Sequence, residues 1–121
     1  MKVYKLYSST SRSNHNKDIY IGDKNRALEL FYDDIHNCIK CVKSLRDTPF
    51  NDSVNELKDD IMHFAELQNE SFEVIEIKNP YIIYKRDTIY KAVVFYLYHD
   101  EFDDFYYESQ HTFTLEEIDV I

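Results

Sequence analysis

The chain has 121 residues, 14 basic and 23 acidic side chains and a formal net charge of −9, a length that fits one domain, 1–121, around a single core. It contains no run of about 18 apolar residues, and the N-terminal stretch MKVYKLYSSTSRSNHNK lacks the apolar core of a signal peptide, so a cytoplasmic setting without a membrane span is expected. Two cysteines are too few for a disulfide scaffold, and one glycine excludes the glycine-built phosphate loops and nucleophile elbows.

Setting aside the eleven tyrosines and adding the glycine leaves about 36% apolar residues, against a usual ~45–50%. Tyrosine must therefore do core work, its ring packing while its hydroxyl finds a partner.

Along the chain, residues 3–7 (VYKLY) and 18–22 (DIYIG) read as short strands, joined by the polar stretch 8–17. Asp23 is placed to cap a helix over Lys24–Arg46, in which Leu28, Phe31, Ile35, Cys38, Ile39, Val42 and Leu45 fall on one arc at roughly 100° per residue. Residues 47–53 (DTPFNDS) read as a turn. Ser53 and Glu56 then have the spacing of a capping box, and Val54, Leu57, Ile61, Phe64 and Ala65 continue at helical spacing to about Gln68.

From Ser71 the residues become β-branched and aromatic. Phe72–Lys78, Tyr81–Arg86, Ile89–Tyr98 and Phe105–Thr114 are predicted strands. Residues 114–117 (TLEE) leave two endings open, a short final helix or an edge strand in the tail. The order ββ-αα-ββββ predicts an α+β domain, with a two-helix hairpin on one face of a mostly antiparallel sheet and a partly aromatic, exposed face opposite. Such faces and edges commonly pair with a second copy, so a homo-oligomer is expected.

Charge is segregated along this pattern. Between Ala92 and Ile121 there are eight acids and neither lysine nor arginine, whereas residues 1–46 carry nine bases and five acids. A tail of this kind steers basic partners toward itself and disfavours duplex nucleic acid, whose phosphates would meet like charge. The densest stretch is YHDEFDDFYYES at 98–109, with five carboxylates and five aromatic rings.

Several constellations invite a chemical reading. Cys38 and Cys41 form a C-x-x-C motif inside a helix, without the second ligand pair that a structural zinc needs, and packing explains them best. The five histidines lack a metal-ligand spacing, and His63 lies opposite the apolar stripe of its helix. Asp100, Asp103 and Asp104 beside His99 suit a divalent cation or acid–base chemistry, but the glycine and the distant glutamate of an EF-hand are missing. The expectation is therefore no catalytic residues, no metal and no cofactor.

The leading expectation is a non-catalytic binding or inhibitor protein. Its acidic aromatic surface, formed by Asp100, Glu101, Phe102, Asp103, Asp104, Tyr106, Tyr107 and Glu108, engages a basic protein and imitates nucleic acid to a partner that normally binds it. The alternative is a module sequestering a nucleotide-like molecule with Arg12, Ser13, His15 and Lys17 and tyrosines at a dimer interface. An enzyme built on His99, His111 and nearby acids ranks third. Residue usage leans toward Asn, Lys, Ile, Tyr and Phe, as AT-rich coding dictates, which points to a phage or mobile-element setting.

Overall fold

The computed structural model describes residues 1–10, 18–44, 48–49, 59, 62–63, 72–78 and 80–120. Its β-branched and aromatic runs form β1 (Lys2–Thr10), β2 (Ile19–Ile21), β3 (Thr48–Pro49), β4 (Glu73–Lys78), β5 (Tyr81–Arg86), β6 (Ile89–Asp100) and β7 (Phe105–Asp119). One helix, α1 (Lys24–Ser44), lies between β2 and β3. The seven strands make one sheet in the order β2-β1-β7-β6-β5-β4, with β3 attached to β6. Every strand pair in it is antiparallel. The architecture is α+β, a helix against a large antiparallel sheet.

The helix starts where its cap predicts. Asp23 Oδ1 accepts from the Asn25 amide at 3.1 Å, and the Asp23 carbonyl accepts from the Ala27 amide. Ala27, Phe31 and Ile35 are fully buried, with Val42 nearly so and Leu28, Cys38 and Ile39 partly covered. All of these but Val42 join one cluster with Tyr4, Leu6, Tyr81, Ile83, Ala92, Val94, Phe113 and Leu115, which share one sheet face because side chains along a strand alternate.

Three expectations change. The expected two-helix order is not what the described residues show: α1 is their one long helix, and the second, over 53–68, lies outside them except for Asp59, Met62 and His63, which are helical. Inside the expected turn at 47–53, Thr48 and Pro49 instead pair with Leu97 and Tyr96. A β-branched residue before proline is held extended, and β6 runs past the end of β5, which leaves an open ladder position there.

The last strand is the second change. Neither a terminal helix nor an edge strand forms: residues 105–119 are one strand, central in the sheet, paired with β6 through Glu116 and with β1 from His111 to Asp119. Alternation continues through Phe113 and Leu115, both buried beneath α1, so burial favours extension over the local capping signal.

Third, the face opposite α1 is not open throughout. Ile82, Val93 and Phe95 form a second buried cluster there, flanked by Val74, Ile77 and Tyr84.

Turns and edges follow the same economy of glycine. Asp87 sits at φ 53° in the two-residue turn joining β5 to β6, a left-handed conformation that Asp tolerates better than most residues. Edge strand β4 carries a register shift between Val74 and Glu76, and such bulges discourage edge-to-edge pairing. At the rim of the main core the Tyr81 hydroxyl donates to Glu76 Oε1 at 3.0 Å.

Truncating Phe31 to alanine should cost about 3–5 kcal/mol, read by urea denaturation, because it empties the centre of the main core. Burial, then the bond to Glu76 and its charge, push the Tyr81 phenol from 10.0 up to about 12. A tyrosine with a raised folded-state pKa adds stability that is whole below about pH 10 and is lost as pH climbs toward about 12. Tyr81→Phe should shrink this alkaline loss in melts taken across that window; an unchanged alkaline limb would refute the assignment.

Candidate functional site

The acidic aromatic stretch is the outer end of the β6–β7 hairpin. β5 and β3 accompany β6 through Leu97, and β1 accompanies β7 from His111 onward. Beyond Tyr98 and Gln110, among the described residues, the two strands pair with each other alone, down to Asp100 opposite Phe105. Residues 101–104 close the loop. A two-stranded ribbon therefore projects from the sheet.

Its conformation is set by its own carboxylates. Asp100 Oδ1 accepts from the Phe102 amide at 2.8 Å, a local bond that tightens the turn. Asp104 closes the loop at φ 50°, again a left-handed position without glycine. Its Oδ1 lies 2.7 Å from His99 Nε2, and the two side chains differ sharply in exposure, 7% for His99 and 89% for Asp104. Asp103 Oδ2 accepts from the Tyr107 hydroxyl. Asp100, Asp103 and Asp104 are thus held by a backbone amide, a phenol and an imidazole; Asp103 and Asp104 are exposed and Asp100 is half-buried.

Alternation sorts the rings onto two faces. Phe105 and Tyr107 stack obliquely on one, with centroids 5.2 Å apart, and His99 and Tyr106 meet at 4.8 Å on the other. Phe102 at the apex is fully exposed, and Phe105, Tyr106 and Tyr107 are 59%, 48% and 44% exposed. The structure so brings together Asp100, Glu101, Phe102, Asp103, Asp104, Tyr106 and Tyr107, with Glu108 in β7 opposite Leu97. Phe105 belongs with them and was missed; its signal was the two-residue spacing to Tyr107.

The tail's charge is divided, which corrects the view of it as one uncompensated surface. Glu117 pairs with Lys2 across β1–β7, and Glu116 sits opposite Lys5, which also lies 3.7 Å from Asp18. The hydrogen bond and charge of Lys2 hold the Glu117 carboxyl below its ordinary value, with Lys24 and Lys85 adding to the effect. The acids of 100–104 remain at the far end of the hairpin, away from this pairing.

The other candidates separate. His63 is exposed, as its helix position implies, and His111 stacks on Phe113 in the β7 segment under α1. Cys38 is partly buried, and burial, then Cys41, push its thiol up to about 12, which keeps it protonated. Arg12, Ser13, His15 and Lys17 lie outside the described residues. Among the described residues no three His, Cys, Asp or Glu side chains gather in a cluster fit to hold a metal ion, and no helix is long and apolar enough to cross a membrane. The chain matches no protein-family model, no curated protein sequence and no solved structure.

The Asp103 carboxylate accepts from the neutral Tyr107 phenol and opposes the phenolate, so Tyr107 ionises above its ordinary 10.0. Asp103→Asn should lower the ring's titration midpoint toward that value, followed by NMR of labelled tyrosine. A midpoint that does not move would show that the pair does not persist in solution.

Proposed function

We propose that this chain is a non-catalytic binding protein of the inhibitor kind, whose β6–β7 ribbon docks on a basic surface of a protein partner. The observation that supports this reading is the fully exposed Phe102 at the apex of a turn built from carboxylates, with further exposed rings on both faces. Exposing four large rings together is unfavourable in water unless a partner covers them, and large exposed aromatic patches commonly mark interaction sites. Carboxylates between rings suit arginine, whose guanidinium donates two parallel hydrogen bonds to a carboxylate and lies flat on an aromatic face.

Against a nucleic-acid-binding partner, this ribbon would place carboxylates where phosphates sit and rings where bases stack. Duplex nucleic acid itself is not the ligand, since its phosphates would face like charge. Pairing of one copy's basic N-terminal half with another copy's acidic hairpin is a weaker reading, because Lys2 and Lys5 are engaged by Glu117 and Asp18 within the chain. The mobile-element setting and the reducing, cytoplasmic compartment rest on residue usage and on two thiols.

The test compares the native chain with a variant carrying Asp100→Asn, Glu101→Gln, Asp103→Asn and Asp104→Asn as bait for basic proteins from a cell extract, followed by titration of the recovered partner. Affinity should fall steeply between about 50 mM and about 500 mM salt, and the variant should lose most of its binding while still melting cooperatively. For a mimic, a competing oligonucleotide should displace the ribbon. Binding indifferent to salt and to the four substitutions would end the proposal. Phe102→Ala should weaken the complex while shifting fold stability by no more than about 0.5 kcal/mol, since an exposed ring supports no core.

A further inference from the structure

A second concave site lies between the helix and the sheet, away from the ribbon. It is a cleft of about 400 Å³ between β1 (residues 6–8), Ile19 of β2, Asp34, Asn37 and Cys38 of α1, and His111 and Phe113 of β7. Sites for small molecules span roughly 300–1,000 Å³, with mostly apolar walls and a few convergent polar groups. This cleft has that make-up.

Its floor is core. Leu6 and Phe113 are buried, and the half-exposed Ile19 forms part of the rim. The His111 ring lies parallel to Phe113, with centroids 4.4 Å apart and planes 4° from coplanar, so one wall is a flat aromatic stack. Opposite, Asp34, Asn37 and Cys38 stand at i, i+3 and i+4, a spacing that puts all three on one side of α1. The polar groups at the helix wall are thus a carboxylate and an amide one turn apart.

The chemistry of those groups selects the ligand. A carboxylate presents two acceptors side by side and is best met by two parallel N–H donors. Asn37 can add a donor toward a neighbouring carbonyl and an acceptor toward a further N–H. An aromatic wall such as the His111–Phe113 stack favours a flat, aromatic ligand. We propose that this cleft binds a heterocycle with the 2-amino-4-oxopyrimidine edge of guanine, as the free base or nucleoside, with Asp34 accepting from the ring N–H and the exocyclic amine.

Partial burial, then the charge of Asp33, raise the Asp34 carboxyl above its ordinary range, and among the described residues no hydrogen bond or ion pair compensates it. Donor groups on a ligand would replace the water that burial removes. Asp33 and the overall charge of −9 disfavour a phosphate on that ligand. Cys38, protonated with its thiol near 12, packs against the ligand without reacting.

The inference is independent of the ribbon reading, and its test leaves the ribbon untouched. Titrating the native chain with guanosine, inosine and adenosine by calorimetry and amide NMR should show guanosine binding at or below about 1 mM. Amide shifts should concentrate at Ile19, Asp34, Asn37 and His111. Inosine, which lacks the 2-amino group, and adenosine, which reverses the donor pattern, should bind at least about tenfold more weakly. Asp34→Asn should lower guanosine affinity about tenfold without lowering the melting temperature. Equal binding of guanosine and inosine, shifts outside the cleft, or no binding at millimolar nucleoside would each overturn the proposal on the native chain, whatever the variant does.

Discussion

The pairing of β7 on both sides is the constraint on which the rest of the molecule depends. The C-terminal strand fills the gap between the first strand and β6, so the sheet is not continuous until the two ends of the chain meet. The Val120 amide donates to the Met1 carbonyl at 2.8 Å, and the Glu117 amide to the Thr88 carbonyl at 3.1 Å, which ties the ends to each other and to the β5–β6 turn. Closing a loop of nearly the whole chain carries an entropic cost that local helix formation does not, and folds of this kind form late contacts slowly. The floor beneath α1 includes Phe113 and Leu115, so packing of the helix depends on that closure.

The length of β7 divides it into two halves with different neighbours. From His111 to Glu116 it has neighbours on both sides, and its inward residues Phe113 and Leu115 are core. From Phe105 to Gln110 its partner among the described residues is β6, and the same alternation that buries Phe113 and Leu115 leaves Phe105 and Tyr107 in water. No change in local propensity separates the halves; the end of β1 does. The ribbon's exposure is therefore a property of strand length and register, and its rings are hydrophobic residues for which the sheet supplies no cover.

That origin explains how much could be read from the chain. The strand over 81–86, the helix start at Lys24 with its Asp23 cap and the stripe of Phe31 and Ile35 were legible because each is fixed by near neighbours. The central place of β7 was not, because TLEE also suits a helix start, and only pairing with residues more than a hundred positions away decides between them. Charge was read as a sum over the last thirty residues. Glu116 and Glu117 belong with Lys5 and Lys2 across a strand pair, and no window along the chain places them side by side. The cleft was missed for the same reason: Asp34, His111 and Leu6 come from three elements, and Asp34 in sequence is one more acid on a solvated helix. Phe105 was passed over although its alternation with Tyr107 was in plain sight.

The ribbon and the cleft place opposite demands on one strand. For the docking role proposed above, carboxylates must stay hydrated until a cationic partner arrives; Asp103 and Asp104, exposed, contact Tyr107 and His99. A small-molecule site benefits from partial desolvation, which strengthens each hydrogen bond within it, and Asp34 stands in such surroundings. The transition between the two environments falls between Gln110, exposed, and His111, half-buried and stacked on Phe113, where β1 begins to flank β7. Because backbone pairing with β6 is continuous across that point, a rigid ladder connects arm and cleft while their side chains remain apart. Residues that share no partners contribute nearly additively, so substitutions in the loop at 101–104 and at Asp34 are expected to change the two proposed properties separately.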